Sequence, residues 1–196
     1  MPSWIAHGRP MPMPPHMKVS RVKTIARILG SEVFVETGTY RGDTSAALSS
    51  VVQQVLTVEI SETLARRAEA RFSGTNVTVL LGDSARLMAG IVERAAGRPT
   101  LYWLDGHFSA GVTGGDDEEL PLEQELITIL PRLSRSDVVL IDDVREFGKD
   151  GYPTIQEVEA LVMKTNGDMS VKVVDDMAIV GHSATVQKLG SGLQGH

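Results

Sequence analysis

The feature that most constrains the fold is a regular alternation of short apolar runs with segments of helical spacing. Five runs rich in β-branched residues recur along the chain: EVFVET (32–37), QVLTVEI (54–60), NVTVLL (76–81), TLYWLD (100–105) and DVVLIDD (137–143). Each is apolar throughout rather than alternating in polarity. Strand followed by helix, with strands apolar on both sides, is typical of a parallel sheet covered by helices on both faces. We therefore expect an α/β, Rossmann-like fold.

The two ends of the chain add elements to this sheet. The stretch SVKVVDDMAIVGH (170–182) divides into two short strands around Asp175 and Asp176, which predicts a C-terminal antiparallel hairpin and seven strands in all. The basic stretch KVSRVKTIAR (18–27) has apolar residues at helical spacing, so we predict an amphipathic helix over 17–29 with its charges in solvent. Residues 1–16 hold five prolines and are expected to form a flexible arm. A single domain is expected over 17–185 and a flexible tail over 186–196.

The bulk properties exclude several classes of function. The chain has no cysteine, which rules out disulfides, thiolate zinc sites and cysteine nucleophiles. Its formal charge of −6 gives no general attraction to nucleic acid or to anionic membranes, and no apolar run is long enough to span a bilayer. We expect a cytoplasmic protein that acts on a small molecule, without a nucleic-acid or membrane partner.

Acidic side chains mark the ends of the first five predicted strands. In chain order they are Glu36, Glu59, Asp83, Asp105 and the pair Asp142 and Asp143. Ligands of open α/β sheets bind beyond the carboxyl ends of the strands. Six carboxylates at one such edge favour a positively charged ligand.

The loop VETGTYRG (35–42) favours the same type of ligand. It offers only Gly38 and Gly42, so the G-x-G-x-x-G fingerprint of dinucleotide sites is incomplete. Glu36 would also repel a pyrophosphate, by roughly 4 kcal/mol at about 4 Å and an effective dielectric near 20, although Arg41 could offset part of this. S-adenosylmethionine instead carries an ammonium and a sulfonium, which carboxylates favour.

Each of these acids also has a purely structural alternative. Glu59 is suited to bind a ribose diol, a role that fits NAD as well as S-adenosylmethionine. Its structural alternative is to cap the next helix. Asp83 lies where an adenine would bind, or it is the N-cap of the helix that follows. The alternative for Glu36 is a loop carboxylate that bonds to neighbouring backbone amides and binds no ligand. These alternatives stay open at the level of sequence.

The motifs VETGTYRG, VEIS, GDS, LDGH and LIDDV together resemble those of class I S-adenosylmethionine-dependent methyltransferases, over residues 32 to 181. VETGTYRG is similar to the cofactor loop of the metal-dependent O-methyltransferases, such as catechol O-methyltransferase and the macrocin-type enzymes that methylate sugar hydroxyls. The resemblance implies that Glu36 and Gly38 bind the methionine part of S-adenosyl-L-methionine, Glu59 the ribose and Asp83 the adenine side. It extends the expected cofactor site to Thr37, Tyr40, Gly42, Ile60, Ser84 and Asp105. A homodimer is one assembly that it implies.

Three aspartates form a candidate metal site. Asp105 and the pair Asp142 and Asp143 follow the fourth and fifth strands, which we expect to be neighbours. Three clustered carboxylates ionise together only at high cost unless a cation joins them, and oxygen-only ligation is preferred by Mg²⁺. The resembling enzymes bind Mg²⁺ at these strand ends; catechol-type members have Asn where this chain has a third Asp, which could widen the choice to Mn²⁺ or Ca²⁺. The alternative is that the aspartates cap loops or pair with Arg145 and Lys149.

The catalytic base is less well specified. Catechol-type enzymes have a lysine three residues after the first metal aspartate, and here that position is Phe108. His107 is the nearest substitute, with Asp105 beside it, and a loop histidine without a catalytic role is the equal alternative. Residues 107–119 form either a lid or, in DDEE, the charged start of a helix.

These motifs predict a Mg²⁺-dependent O-methyltransferase that acts on a diol-bearing small molecule, with a lean toward a saccharide or glycosylated metabolite. Two alternatives stay open: an NAD-dependent oxidoreductase, and a non-catalytic nucleotide-binding protein of the same fold.

Overall fold

The computed structural model describes residues 12–105, 121–149 and 151–194. His107, Phe108 and the segment 107–119 lie outside these ranges, as does most of the N-terminal arm. None of the described helices is long and apolar enough to cross a membrane.

Within these ranges, seven strands form one sheet. They are β1 (Val33–Thr37), β2 (Gln54–Glu59), β3 (Val77–Leu81), β4 (Thr100–Leu104), β5 (Val138–Ile141), β6 (Met169–Val174) and β7 (Met177–His182). Their order is β3-β2-β1-β4-β5-β7-β6, with β1 to β5 parallel and β7 antiparallel to both of its neighbours. The predicted Rossmann-like sheet, its C-terminal hairpin and the pairing of the fourth and fifth strands are confirmed.

Seven helices cover the sheet in the described ranges. They are α1 (Pro15–Leu29), α2 (Asp43–Ser49), α3 (Glu62–Arg71), α4 (Ser84–Ala95), α5 (Pro121–Ile129), α6 (Ile155–Thr165) and α7 (Ser183–Gln194), with 3₁₀ turns at Leu130–Arg132 and Val144–Glu146. The strands bury side chains on both faces: one face packs on α4, α5 and α6, and the other on α1, α2, α3 and α7. This two-sided burial is why the strands read as continuous apolar runs.

Helix α1 places its apolar stripe against the second face. Val22 and Ile25 are fully buried there, next to the strand residues Phe34 and Trp103. The helix ends at Gly30, as predicted, in a left-handed conformation that only glycine adopts easily. It begins earlier than predicted, because Pro15 occupies the first turn, where a missing N–H costs nothing.

The C-terminal segment differs from the prediction. We expected a flexible tail from residue 186, whereas α7 continues to Gln194. Val186 and Leu189, three residues apart, are each 1% exposed and pack on the sheet. The glycines of this segment suggested a loop, but burial of this apolar pair outweighs their low helix propensity.

Candidate functional site

Strand alternation brings three of the predicted acids to one face. Side chains two residues apart along a strand lie on the same face of a sheet. Each of these acids comes two residues after a strand residue of known side: Glu36 after Phe34 in β1, Asp105 after Trp103 in β4, and Asp142 after Leu140 in β5. Phe34, Trp103 and Leu140 belong to the core that α1 covers. The carboxylates therefore continue that face at the carboxyl edge of the sheet, beside the N-terminal end of α1.

Glu36 is a buried carboxylate held by hydroxyl groups. Its side chain is 1% exposed, and Oε2 accepts hydrogen bonds from Ser45 Oγ at 2.6 Å and Thr57 Oγ1 at 2.8 Å. The pKa of Glu36 is raised to about 7, chiefly by burial and also by the charge of Asp105, while the hydroxyl bonds work against both. The alternative in which Glu36 bonds to loop amides is wrong, because within the part of the chain that the structure describes its donors are hydroxyls from α2 and β2.

Sequence reasoning missed Ser45 and Thr57. Thr57 is opposite Glu36 in the β1–β2 register, so strand pairing alone would have placed it there. Ser45 lies in the first turn of α2 and carries no signal that separates it from an ordinary helix residue.

Glu59 links the loop after β1 to the start of α3. Its Oε2 accepts from the Tyr40 N–H at 2.8 Å and its Oε1 from the Ser61 N–H at 2.9 Å, and the residue is 6% exposed. It is not the N-cap of α3, because Ser61 fills that position and accepts from the Leu64 N–H. A carboxylate oxygen has two lone pairs, so each oxygen of Glu59 keeps capacity for one further donor such as a ribose hydroxyl.

The loop after β1 adopts left-handed backbone at three positions. Gly38 has φ 88°, Gly42 has φ 75° and Tyr40 has φ 48°. A Cβ on Gly42 would lie 2.8 Å from the Phe72 ring, so this glycine serves close packing against α3 as well as the turn. Tyr40 is 62% exposed in this loop at the carboxyl edge of the sheet, and the Arg41 guanidinium lies 5.3 Å from the centroid of its ring. A bulky residue with positive φ is strained and such strain is concentrated at functional sites.

Asp83 is the N-cap of α4. Its carboxylate accepts from the Ala85 N–H at 2.9 Å and lies 3.4 Å from Arg86 Nε. The capping interpretation is therefore confirmed, while contact with an adenine stays a prediction. Ser84 is the first helical residue, and Ile60, which is 45% exposed, follows Glu59 on the same edge.

The three candidate metal ligands meet. Asp105, Asp142 and Asp143 each present a carboxylate oxygen, and the three oxygens lie within 4.8 Å of one another. Asp142 is 2% exposed. Burial, followed by the charges of Asp105 and Asp143, raises the pKa of Asp142 to about 7. The cluster therefore carries negative charge that is costly without a cation.

A lysine that the sequence did not indicate supplies one cation. Lys18 Nζ, from the first turn of α1, donates to Asp142 Oδ2 at 2.7 Å and to Asp143 Oδ1 at 2.6 Å. Burial alone would lower the pKa of Lys18, but the bonds and charges of the two aspartates raise it overall. The expectation that the charges of α1 all lie in solvent is wrong for Lys18 and also for Arg21, which pairs with Asp175.

Arg145 shares the Oδ1 atom of Asp143 with Lys18. Its Nη1 donates to Asp143 and to Asp176, its N–H donates to Asp176 Oδ1 at 3.0 Å, and the bond to Asp143 is the largest contribution that raises the pKa of Arg145. Pairing of an aspartate with Arg145 is thus confirmed for Asp143. Lys149 pairs instead with Glu146, at 3.6 Å.

Comparison with solved structures identifies the fold as that of class I S-adenosylmethionine-dependent methyltransferases. The O-methyltransferase TomG from Streptomyces achromogenes, involved in tomaymycin synthesis and solved with S-adenosylmethionine, aligns with a TM-score of 0.64 at 14% identity over 92% of this chain and 86% of its own. An O-methyltransferase from Bacillus cereus, solved with S-adenosylhomocysteine, gives 0.61 at 15% identity over 91% and 86%.

A third neighbour was solved with a metal. The MycE methyltransferase of the mycinamycin biosynthetic pathway, in complex with Mg, S-adenosylhomocysteine and mycinamycin VI, aligns with a TM-score of 0.56 at 13% identity over 86% of this chain, which spans 48% of that one. No protein-family model matches the sequence, and a search of curated proteins finds no match. At these identities the neighbours establish the fold, and the activity has to be argued from the site.

Proposed function

We propose that the protein is an S-adenosylmethionine-dependent O-methyltransferase whose carboxyl edge binds two cationic partners, the cofactor and Mg²⁺. The observation that carries the proposal is the concentration of buried carboxylates there. Among the described residues, the hydrogen-bond donors to Glu36 are hydroxyls, and the charge of Asp105 adds to the cost of ionising both Glu36 and Asp142. A cation at this edge lowers that cost.

The cofactor roles follow the chain's own geometry. Glu36 and Gly38 are proposed to bind the methionine part, Glu59 the ribose through its remaining lone pairs, and Asp83 the adenine side. The residues that flank them are proposed to complete the pocket: Thr37, Tyr40, Gly42, Ile60, Ser84 and Asp105. Thr37 Oγ1 supports a ligand at this position, because it is buried at the end of β1 and has no hydrogen-bond partner among the residues that the structure describes. S-adenosylmethionine would supply a methyl group activated by its sulfonium.

The metal is proposed to bind Asp105, Asp142 and Asp143. Their donor chemistry fits Mg²⁺, or Mn²⁺ or Ca²⁺, because all three are carboxylate oxygens within 4.8 Å of one another. The fit requires that Asp142 and Asp143 give up their bonds to Lys18. A bound Mg²⁺ would lower the pKa of a substrate hydroxyl as a Lewis acid. His107, two residues after Asp105 in the sequence, is the proposed proton acceptor, and Asp105 is the other proposed catalytic residue.

A diol-bearing small molecule is the proposed substrate, since two oxygens on neighbouring carbons suit a chelating site. The preference for a saccharide or glycosylated metabolite rests on the LDGH and LIDDV motifs, which resemble the sugar-modifying branch. The protein would contribute to the reaction mainly by positioning such a substrate, because the methyl group of the cofactor is already activated.

The oxidoreductase alternative is not favoured. Dinucleotide-binding sheets have the order 3-2-1-4-5-6, whereas here an antiparallel β7 separates β5 from β6. The loop after β1 also lacks the third glycine of the fingerprint and carries Glu36 instead.

Transfer of labelled methyl groups tests the proposal. The protein would be incubated with methyl-labelled S-adenosylmethionine and a panel of catechols and saccharide diols, with Mg²⁺ or with chelator. We expect labelled product that is lost with chelator and in Asp142→Ala. Calorimetry with S-adenosylhomocysteine, with and without Mg²⁺, runs in parallel: no binding in either condition contradicts the cofactor assignment, and chelator-resistant turnover contradicts only the metal. Cofactor binding without turnover on any diol would favour the non-catalytic alternative.

A further inference from the structure

We propose that the Lys18 ammonium and a divalent cation compete for Asp142 and Asp143, so that Lys18 sets the affinity of the metal site. The inference rests on the metal half of the proposed function and concerns how that site is regulated. Nothing in the motifs points to Lys18, which lies 124 residues from Asp142 in the sequence.

The competition follows from which carboxylate oxygens are engaged. Asp142 Oδ1 already accepts the Asp143 N–H at 2.8 Å and keeps one lone pair, so Oδ2, which takes no backbone bond among the described residues, is the oxygen better able to bind a cation. Oδ2 is also the atom that Lys18 Nζ holds at 2.7 Å. On Asp143, Lys18 and Arg145 both donate to Oδ1. A metal on these oxygens would lie at a distance from the ammonium at which like charges repel strongly. The two cations therefore exclude each other.

Lys18 can leave without unfolding its helix. Helix α1 is anchored further along by Val22 and Ile25, which are fully buried, and by the ion pair between Arg21 and Asp175. The lysine stem is long and has several rotatable bonds, so a change of side-chain rotamers suffices to move the ammonium into solvent. The first turn of α1 thus supplies a resident counter-ion that stabilises the acid cluster in the absence of metal.

The balance of charge gives the competition its direction. Lys18 adds one positive charge beside Asp142 and Asp143, and Arg145 is shared between Asp143 and Asp176, so the three carboxylates keep an excess of negative charge. A divalent ion in place of Lys18 adds one charge more and can bind all three carboxylates as a ligand set. A monovalent cation gains little by displacing Lys18. The site should therefore select divalent ions. Its apparent affinity for them is lower than it would be without Lys18, because the bonds of Lys18 must first be broken.

Amine labelling of the wild-type protein tests the release of Lys18 directly. The rate of acetylation of each lysine would be followed by mass spectrometry, with and without saturating Mn²⁺, and Lys164, which is exposed on α6, serves as the internal reference. We expect Mn²⁺ to increase the rate at Lys18 severalfold and to leave Lys164 unchanged. Mn²⁺ binding with no change at Lys18 would overturn the inference.

A titration of Mn²⁺ into variants tests the energetic link. Lys18→Met removes the competitor and keeps the apolar stem, and Lys23→Met is the matched control, because Lys23 lies on the same helix and bonds to Ser50 rather than to an acid. Free Mn²⁺ would be measured by electron paramagnetic resonance, and folding by circular dichroism. We expect Lys18→Met to bind Mn²⁺ about tenfold more tightly or better, and Lys23→Met to match the wild type.

The outcomes separate this inference from the proposed function. Unchanged or weaker Mn²⁺ binding in a folded Lys18→Met overturns the competition, as does the absence of Mn²⁺ binding in every variant. S-adenosylhomocysteine binding, measured on the same samples, reports on the methyltransferase proposal independently. If Lys18→Met does not fold, the labelling experiment on the wild type decides.

Discussion

Replacing Glu36 with glutamine should stabilise the ligand-free protein at high pH and have little effect at low pH. The buried carboxyl has its pKa raised from 4.5 to about 7, chiefly by burial. The folded protein therefore keeps a proton on Glu36 that the unfolded chain releases between these pH values. Stability contributed by the protonated form is complete below pH 4.5 and is lost as the pH rises through about 7.

The size of the effect follows from the two pKa values. Each pH unit between them changes the free energy of unfolding by about 1.4 kcal/mol, so the full loss is about 3 kcal/mol. Glutamine resembles the protonated carboxyl in shape and can still accept from Ser45 and Thr57. The variant should thus be about 3 kcal/mol more stable than the wild type at pH 8, with the difference close to zero at pH 4.5.

Urea unfolding, followed by the fluorescence of buried Trp103, measures this difference at both pH values. Asp142, whose pKa is also raised to about 7, titrates in both proteins and cancels in the comparison. Glu69→Gln, at an exposed position on α3, is the control and should show no such pH dependence. A Glu36→Gln variant that is equally stable to the wild type at pH 8, or is destabilised to the same extent at both pH values, would refute the reasoning.

Three further predictions concern the loop and the turn that support the site. Gly42→Ala should lower the free energy of unfolding by about 1–3 kcal/mol in a urea titration, because its Cβ would meet Phe72 at 2.8 Å in a left-handed conformation; an unchanged midpoint would contradict this. Asp176→Ala removes a buried carboxylate that accepts from the Arg145 N–H and pairs with its partly exposed guanidinium, which keeps Asp143; we expect a loss of about 1–2 kcal/mol in the same assay, whereas an unchanged midpoint would show that the pair is not needed. Glu59→Gln should weaken S-adenosylhomocysteine binding by about tenfold in calorimetry through loss of an acceptor for the ribose, and unaltered affinity would remove Glu59 from the cofactor site.

The sheet could be predicted from the sequence because its physical signals are local. Continuous β-branched runs report burial on two faces, and the helical segments between them require a parallel arrangement. The C-terminal helix could not be predicted, because the buried apolar residues Val186 and Leu189 lie among glycines and polar residues. Its stability comes from packing on the sheet, which the local sequence does not express.

The acidic residues of the site could be predicted from their place after each strand, but their partners could not. Asp142 and Asp143 are adjacent in the chain, whereas Lys18 reaches them only because α1 crosses the same face of the sheet. Amphipathic spacing in α1 identifies its buried stripe and leaves the direction of each charged side chain undetermined. Long-range ion pairs of this kind depend on tertiary placement.

Binding of S-adenosylmethionine to the ligand-free protein tests the central claim most directly. Equilibrium dialysis with the labelled cofactor, repeated with NADH, compares a sulfonium cation with an anionic dinucleotide at the same carboxyl edge. The account predicts saturable binding of one S-adenosylmethionine per chain, displaced by S-adenosylhomocysteine, and no binding of NADH. Saturable NADH binding without binding of S-adenosylmethionine would contradict it.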